Sequence, residues 1–587
     1  MERDNRIQLN TNSIKIKLVI LISLTIVIIL TSVIMAYDLN TKYYLLLLVT
    51  LPLIYLSFKQ YQRLNRAKLI ANLRKKWGVA ESRLRNFSEL HAYFKGIQAK
   101  DDNKYVLDDR TWNDLDMDLV YAQIDRTMTI PGELALYSLL RRPLFNKEEL
   151  DKRNCLINLF SQEQKIREKY QVALSKLGKK ENVYHLDILW EDRPPRNKYA
   201  FLYSFLLFLI PIFILFGVLN YSLAWFGLGA TLLCNMIIHY RTKQKIYEHL
   251  SSIRYLGKLI RCAKSLTEIK HPVLENYHKE IEQSLNKVSY ISKKTGLLGR
   301  EGDSFYLSEY LNIIFLIEVR AFYSVLSALE KYERQLRQIF TTIGFLDTMV
   351  AVASYRAGLE SFVEPKFLNS GSFLKIEEVV HPLLNKPIPN SISEDSSGIL
   401  ITGSNMSGKT TFLKAIGVNA VLAQTIYTCL AKEYQASFFH IMTLIGRKDN
   451  VIEGKSYYLD EIRALLRIIN ALEKDVPCLC LLDEVFRGTN SLERISASAE
   501  VLLYLAKHYC LVFATTHDLE LTELVESSYS NFHFLEKITE EGISFNYKLM
   551  KGPSTTRNAI KLLRHVGYPN EIADAADTRI QKEIEDE

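Results

Sequence analysis

No two cysteines in this chain stand at CxxC spacing, and their number, seven, is odd. Both features argue against a disulfide framework and against a zinc site. Cys478 and Cys480 are the one close pair and lie in an apolar run, so buried, reduced thiols in a cytosolic body are the expected state. Strong charge asymmetry is absent as well: 74 basic and 66 acidic residues leave a net charge of +8. That balance permits an acidic partner such as nucleic acid or anionic lipid without requiring one. At 587 residues there is room for roughly three or four domains.

Charge is missing altogether from three stretches. Residues 18–37 are 20 apolar or uncharged positions, enough at a rise of about 1.5 Å per residue to cross a hydrocarbon core of ~30 Å. Residues 43–58 form a second run, which contains Pro52, and only "DLNTK" separates the two. Together they predict a helical hairpin; a cleaved signal peptide fits poorly, because the first run is too long and the second follows at once. Residues 199–240 are long enough for another hairpin with its turn near 218–221. Tyr199, Tyr203, Tyr221, Trp225 and Tyr240 are spaced as interfacial anchors. The competing reading, a buried core hairpin, is the weaker one, since such helices normally carry a polar stripe. Lys15 and Lys17, the Lys59 to Lys76 cluster, Arg193 to Lys198 and Arg241 to Lys245 all flank the same side. The positive-inside rule assigns that side, with both termini and every large polar segment, to the cytoplasm.

"GSNMSGKT" at 403–410 fits G-x-x-x-x-G-K-[ST] in full, between a short apolar run and a helical pattern. Glycines there let backbone N–H groups cradle phosphates at a helix N-terminus. The candidate nucleotide-binding residues are Gly403, Ser404, Asn405, Met406, Ser407, Gly408, Lys409, Thr410 and Thr411. Lys409 is expected on the β- and γ-phosphates and Thr410 on Mg²⁺. A second apolar run ends in Asp483 and Glu484, 74 residues after Lys409. Asp483 at a buried strand's end would hold Mg²⁺ through water, and Glu484 would orient the attacking water. A third run delivers His517 after Thr515 and Thr516, where it could sense the γ-phosphate. Taken alone, His517 reads rather as a satisfied histidine capping a strand end; the two preceding motifs favour the functional role.

These three segments together resemble the ATPase domain of the MutS family of mismatch-repair proteins. "HPLLNKPIPN" at 381–390 resembles the segment that precedes the family's phosphate loop. "DNVIEGKSYYLDE" places Asp449, Gly454, Ser456 and Glu461 in the family's D-x-x-x-x-G-x-S-x-x-x-x-E signature. The resemblance implies a dimer with composite sites, in which Ser456 and Asn490 face the nucleotide of the other subunit. Tyr547 is expected to contact the base. Residues 125–154, 343–358 and the final "KLLRHVGYPNEIADAA" resemble the family's helical core, the end of its lever helices and its C-terminal dimerisation element, so the likeness runs over roughly residues 110–580. The domain reading is a hairpin at 1–60, a linker at 61–110, and a helical core at 111–358 interrupted by the hairpin at 199–240. An ATPase domain at 359–550 and a C-terminal element at 551–587 follow. The expected fold is multidomain, α plus α/β: transmembrane hairpins, an all-α core and lever domain, and a P-loop (ABC-type) domain with a largely parallel sheet.

Several departures from the family bear on function. The base-reading F-x-E motif occurs at Phe87, Phe362 and Phe534, too often to be informative. No room exists for the connector domain, and 241–345 reads as long helices broken only near "TGLLGREGDS", leaving a clamp short or missing. Phe486 stands where the family usually has glycine, and Pro387 or its neighbours replace the aromatic that often stacks on adenine. The leading expectation is a membrane-anchored, dimeric, Mg²⁺-dependent ATPase that acts on DNA or on protein partners, with mismatch discrimination lost. An ABC-type transporter is the alternative from another class, but no LSGGQ-like segment precedes the acidic strand and no charges line the hairpins. An ATP-controlled membrane tether is the third.

Overall fold

A computed structural model describes residues 2–98, 105–179, 200–295, 306–368, 371–393, 398–404, 407–446, 457–472, 475–486, 490–539, 542–553, 564 and 566–586. The chain is multidomain, mostly helical, with two mixed sheets. It forms two compact units: residues 1–80, 126–133 and 159–358 make the first, and 81–125, 134–158 and 359–587 the second.

Among the described residues, the regular elements of the first unit are all helices. Helix Glu2–Asp38 turns at Leu39 and Asn40, where the Asn40 side chain accepts from the Lys42 N–H at 2.9 Å, and returns through a 3₁₀ segment into helix Thr50–Lys76. Pro52 falls in that helix's first turn, where its missing N–H has no intrahelical acceptor to lose. Helix Ala200–Val218 turns at 219–222 into helix Leu223–Thr267, whose 45 residues span about 67 Å without a break. Among the described residues, five helices are long and apolar enough to cross a membrane. Four of them, Asn12–Asp38, Thr41–Lys76, Phe201–Val218 and Leu223–Thr242, are only 6–22% buried by protein, whereas the fifth, Glu333–Ala357, is 78% buried and is a core helix.

The segment after Arg241 departs from the expected two long helices with one interruption. Helices Glu275–Thr295, Tyr306–Phe315, Ile317–Lys331 and Glu333–Ala357 follow in chain order; the expected break at 296–304 lies outside the described residues, and breaks stand at 268–271, at Leu316 and at Tyr332. Leu316 adopts a left-handed φ of 48°. A leucine gives no sequence signal for that conformation, since glycine is the residue that adopts it at no cost. Inside the unit, Asp347 of helix Glu333–Ala357 accepts from the N–H groups of Met128 and Thr129 and from the Thr129 hydroxyl, at 3.0, 2.8 and 2.6 Å.

Among the described residues the second unit carries ten strands: β1 (Lys366–Phe367), β2 (Leu374–Val379), β3 (Asn390–Ser393), β4 (Gly398–Thr402), β5 (Glu433–Ala436), β6 (His440–Leu444), β7 (Cys478–Asp483), β8 (Cys510–Thr516), β9 (Tyr529–Thr539) and β10 (Gly542–Lys551). Six form a sheet in the order β10-β9-β4-β8-β7-β6, parallel throughout except for the β10-β9 edge pair. Asp483 is the one residue of β4, β7 and β8 that is not buried, which is why their sequences read as unbroken apolar runs rather than alternation. The other four strands form a second sheet, β1-β5-β2-β3, that apolar patterning did not announce.

Candidate functional site

Parallel sheets present their strand C-termini to ligands, because the loops into the following helices start there. β4, β7 and β8 end side by side, with Thr402 paired to Thr516 and Asp483 to Thr515. Each strand therefore delivers its next residues to one place: Gly403 onward from β4, Asp483 and Glu484 from β7, His517 from β8.

The loop after β4 runs into helix Lys409–Ile426, capped by Gly408 at φ 108°. A Cβ on Gly408 would meet the Tyr547 ring at 3.3 Å, so both the backbone angle and the close approach require glycine. Lys409 is 4% exposed, and its ammonium donates to the carbonyls of Gly403 and Ser404 at 2.6 and 3.0 Å. Thr410 Oγ1 donates to Asp483 Oδ2 at 3.0 Å, while Thr515 Oγ1 donates to Asp483 Oδ1 at 2.7 Å. The carboxylate is thus held by one hydroxyl on each side. Asp483 and Thr410 together form an all-oxygen donor pair of the kind that suits Mg²⁺.

Glu484 takes a left-handed φ of 52°, fixed by its N–H bonding to the Thr515 carbonyl and hydroxyl, both at 3.2 Å. This turn aims its side chain at β8, where Glu484 Oε1 lies 2.7 Å from His517 Nε2. The same nitrogen is 3.4 Å from the Lys409 ammonium. His517 therefore lies between Glu484, to whose carboxylate its Nε2–H can donate, and the Lys409 ammonium. Arg494 forks onto Asp518 at 2.9 and 2.7 Å and fastens helix Ser491–Ala506 to the end of β8.

Beside the loop opens a cleft of about 560 Å³, walled by Leu384, Pro387, Ile388, Phe412, Phe534 and Tyr547 among others. Its apolar walls and the phosphate loop at its mouth have the make-up of a base pocket with a polar entrance. Asn390 holds the rim together: its amide donates to the Tyr547 carbonyl at 2.9 Å and its oxygen accepts from Leu549 N at 2.8 Å. Replacing Asn390 by alanine loses both bonds, each worth about 1 kcal/mol. We expect the KM for nucleotide to rise about tenfold with kcat nearly unchanged, because no phosphate contact is touched; a fall in kcat alone would refute this. His381 also lines the cleft, and burial, helped by the Lys414 ammonium, lowers its pKa to about 4, so the ring is neutral.

Of the residues expected from sequence, Gly403, Ser404, Ser407, Gly408, Lys409, Thr410, Thr411, Asp483, Glu484, His517 and Tyr547 lie around this one locus. Asn405, Met406 and Ser456 fall outside the described residues. Asn490 caps helix Ser491–Ala506, its side chain accepting from Glu493 N at 2.9 Å. Thr515, Phe412 and Phe534 were missed: a strand threonine and two apolar aromatics carry no signal until the strands are aligned. Glu461, read only as part of a signature, accepts from the N–H of Phe486 at 2.6 Å and so braces the turn after Glu484.

Phe486, at φ 60° and 7% exposed, explains how this chain departs from glycine there. A left-handed non-glycine backbone costs about 1–2 kcal/mol, whereas emptying a buried Phe site costs about 3–5 kcal/mol. Packing wins, so Phe486→Gly is expected to lower the melting temperature of the protein; a rise would show that backbone strain dominates.

Residues 399–585 match the family model for MutS domain V. DNA mismatch repair protein MutS of Petrotoga mobilis is 31% identical over 273 residues, covering 44% of this chain and 33% of that protein. The MutS proteins of Thermus thermophilus and Thermotoga maritima are 29% and 28% identical over 263 and 269 residues. The match to these relatives covers about a third of their own length. Through its domain V, the chain is a divergent relative of the MutS proteins.

Proposed function

We propose that this chain is a Mg²⁺-dependent ATPase of the MutS kind, anchored in a membrane by the hairpins at 1–60 and 199–240, with its termini and nucleotide domain in the cytoplasm. The observation that carries the ATPase reading is the convergence of Lys409, Thr410, Asp483 and Glu484 with His517 at three adjacent strand ends. The residues fit the metal and the nucleotide: an oxygen pair for the cation, a buried ammonium for phosphate, and a glycine cradle that any Cβ would obstruct. Bound Mg²⁺ would neutralise charge on the phosphates during transfer.

Thr410 and Asp483 would hold the cation, and the Thr515 hydroxyl fixes the Asp483 carboxylate. Lys409 exchanges the carbonyls of Gly403 and Ser404 for phosphate oxygens. Glu484 accepts a proton from, or orients, the attacking water, and His517 holds the Glu484 carboxylate in place until then. The Leu384, Phe412 and Tyr547 walls take the base and exclude water. Two chains pair through these domains, Ser456 completing the partner's site. The further partner proposed is DNA, gripped through its phosphates by Lys and Arg without mismatch discrimination, so that binding falls steeply with salt.

The test is hydrolysis by the detergent-solubilised full chain, with and without Mg²⁺, against a Glu484→Ala blank. Homoduplex, mismatched and branched DNA would each be added at two salt concentrations. A Mg²⁺- and Glu484-dependent rate is expected, raised by every duplex alike. A rate equal to the blank would overturn the ATPase reading, and indifference to all DNA would overturn the DNA partner.

A further inference from the structure

Helix Leu223–Thr267 begins as the fourth apolar span, Leu223–Thr242, and carries an asparagine inside it. Asn235 is 1% exposed, and its amide donates to the carbonyl of Ile314 at 2.7 Å. Asn235 precedes Tyr240, the last uncharged residue before Arg241, by five residues, which at 1.5 Å each places it about 7.5 Å inside the apolar zone. Ile314 must lie at the same depth, although it belongs to a segment, 306–331, that hydropathy does not single out as a span.

The local backbone has the features such a depth demands. Helix Tyr306–Phe315 stops at Leu316, whose left-handed φ of 48° breaks the hydrogen-bond ladder before helix Ile317–Lys331 begins. A broken helix in hydrocarbon is tolerated only where protein buries it and re-satisfies the freed groups. Leu316 is 1% exposed, and the carbonyl of Ile314, in the helix's last turn, is the one the Asn235 amide takes up. Meanwhile Tyr310 and Leu311 are 62% and 40% exposed, continuous in character with Leu233, Met236 and Ile237 on the neighbouring span. Between Tyr306 and Ile317 the sequence holds a single charge, Glu309, and the first positive charge after the turn is Arg320, about 6 Å further along the helix.

We infer that residues 306–316 form a re-entrant element that enters the cytoplasmic leaflet, with Tyr310 and Leu311 against lipid acyl chains and Asn235 holding its broken end. The inference rests on the membrane reading above and extends it: a segment of the helical body, and not the two hairpins alone, meets lipid. Helix Ile317–Lys331 then leads directly into helix Glu333–Ala357 and onward along the chain to β1, so the lipid-seated turn is covalently in line with the nucleotide domain.

The experiment is tryptophan quenching by phosphatidylcholine brominated at mid-chain, using the full chain reconstituted in vesicles. Trp225, 53% exposed on the fourth span, is the internal standard for membrane insertion. In a Trp225→Phe background, Tyr310→Trp is expected to be quenched as strongly as Trp225 is in the native chain. Tyr290→Trp, on helix Glu275–Thr295, should match the background. Quenching of Tyr310→Trp no greater than that of Tyr290→Trp would overturn the inference while leaving the spans intact. An unquenched native Trp225 would instead overturn the membrane reading itself. Asn235→Leu should reduce the quenching of Tyr310→Trp and spare Trp225 measured in its own background; equal quenching with and without the asparagine would remove Asn235 from the device.

Discussion

A Glu484→Ala chain is expected to bind ATP as the native protein does and to turn it over about 10²–10⁴-fold more slowly, the range a positioned general base contributes. The Glu484 carboxylate bonds to His517, while the phosphate and metal contacts are the ones proposed for Lys409, Thr410 and Asp483. Binding therefore survives its removal. Stability should survive as well, because alanine at φ 52° is no more strained than glutamate, and the two backbone bonds to Thr515 remain. Lys409→Ala provides the contrast. It removes a buried cation over the loop, so affinity and rate should fall together, the rate by about 10²–10³ as for loss of a charge-stabilising donor. Fluorescent-nucleotide binding alongside single-turnover hydrolysis separates the two variants. If Glu484→Ala lost affinity while single-turnover chemistry stayed at the native rate, the carboxylate would be a binding group and the base would lie elsewhere.

The phosphate loop was legible because its chemistry needs particular residues at fixed spacing, and Asp483, Glu484 and His517 because buried parallel strands end abruptly in polar residues. What joins them was not legible. Thr515 meets Asp483 only through the register of β7 against β8, and Glu461 reaches the Phe486 N–H from a different helix. Those are pairings between distant positions, which one sequence does not encode as a local pattern. The hairpins could be read from length and the absence of charge, including the turn after Val218. The breaks at Leu316 and Tyr332 could not, since neither residue is a helix breaker and tertiary contacts fix their angles. Helix Glu333–Ala357 shows the opposite limit: its composition passes for a span, and only its burial marks it as core.

Asp347 is where stability should respond most to a single change. It sits fully inside the first unit, and burial raises its carboxyl to about 6 even though Thr129 and Met128 donate to it and Lys179 lies nearby. A group that binds its proton more tightly folded than unfolded stabilises fully below the unfolded value near 4 and loses that contribution as pH rises through 6. The native chain should therefore lose about 2 kcal/mol from this group between pH 4 and pH 7. Asp347→Asn, which cannot ionise, should flatten that part of the profile. Asp347→Ala should be far worse at every pH, because the Met128 and Thr129 N–H groups and a hydroxyl would be left buried without an acceptor. At about 1–3 kcal/mol each, their sum approaches the whole stability of a typical domain. Gly132→Ala tests the same packing from the other side, since its Cβ would fall 2.1 Å from Asp347 Oδ2. Melting temperatures of the solubilised chain at pH 4.5, 6 and 7.5 decide the matter. A native profile that rises across this window would show that the carboxylate is held ionised by its donors and that burial is the lesser force; an alanine variant as stable as the asparagine one would show that those donors do not depend on Asp347 for an acceptor.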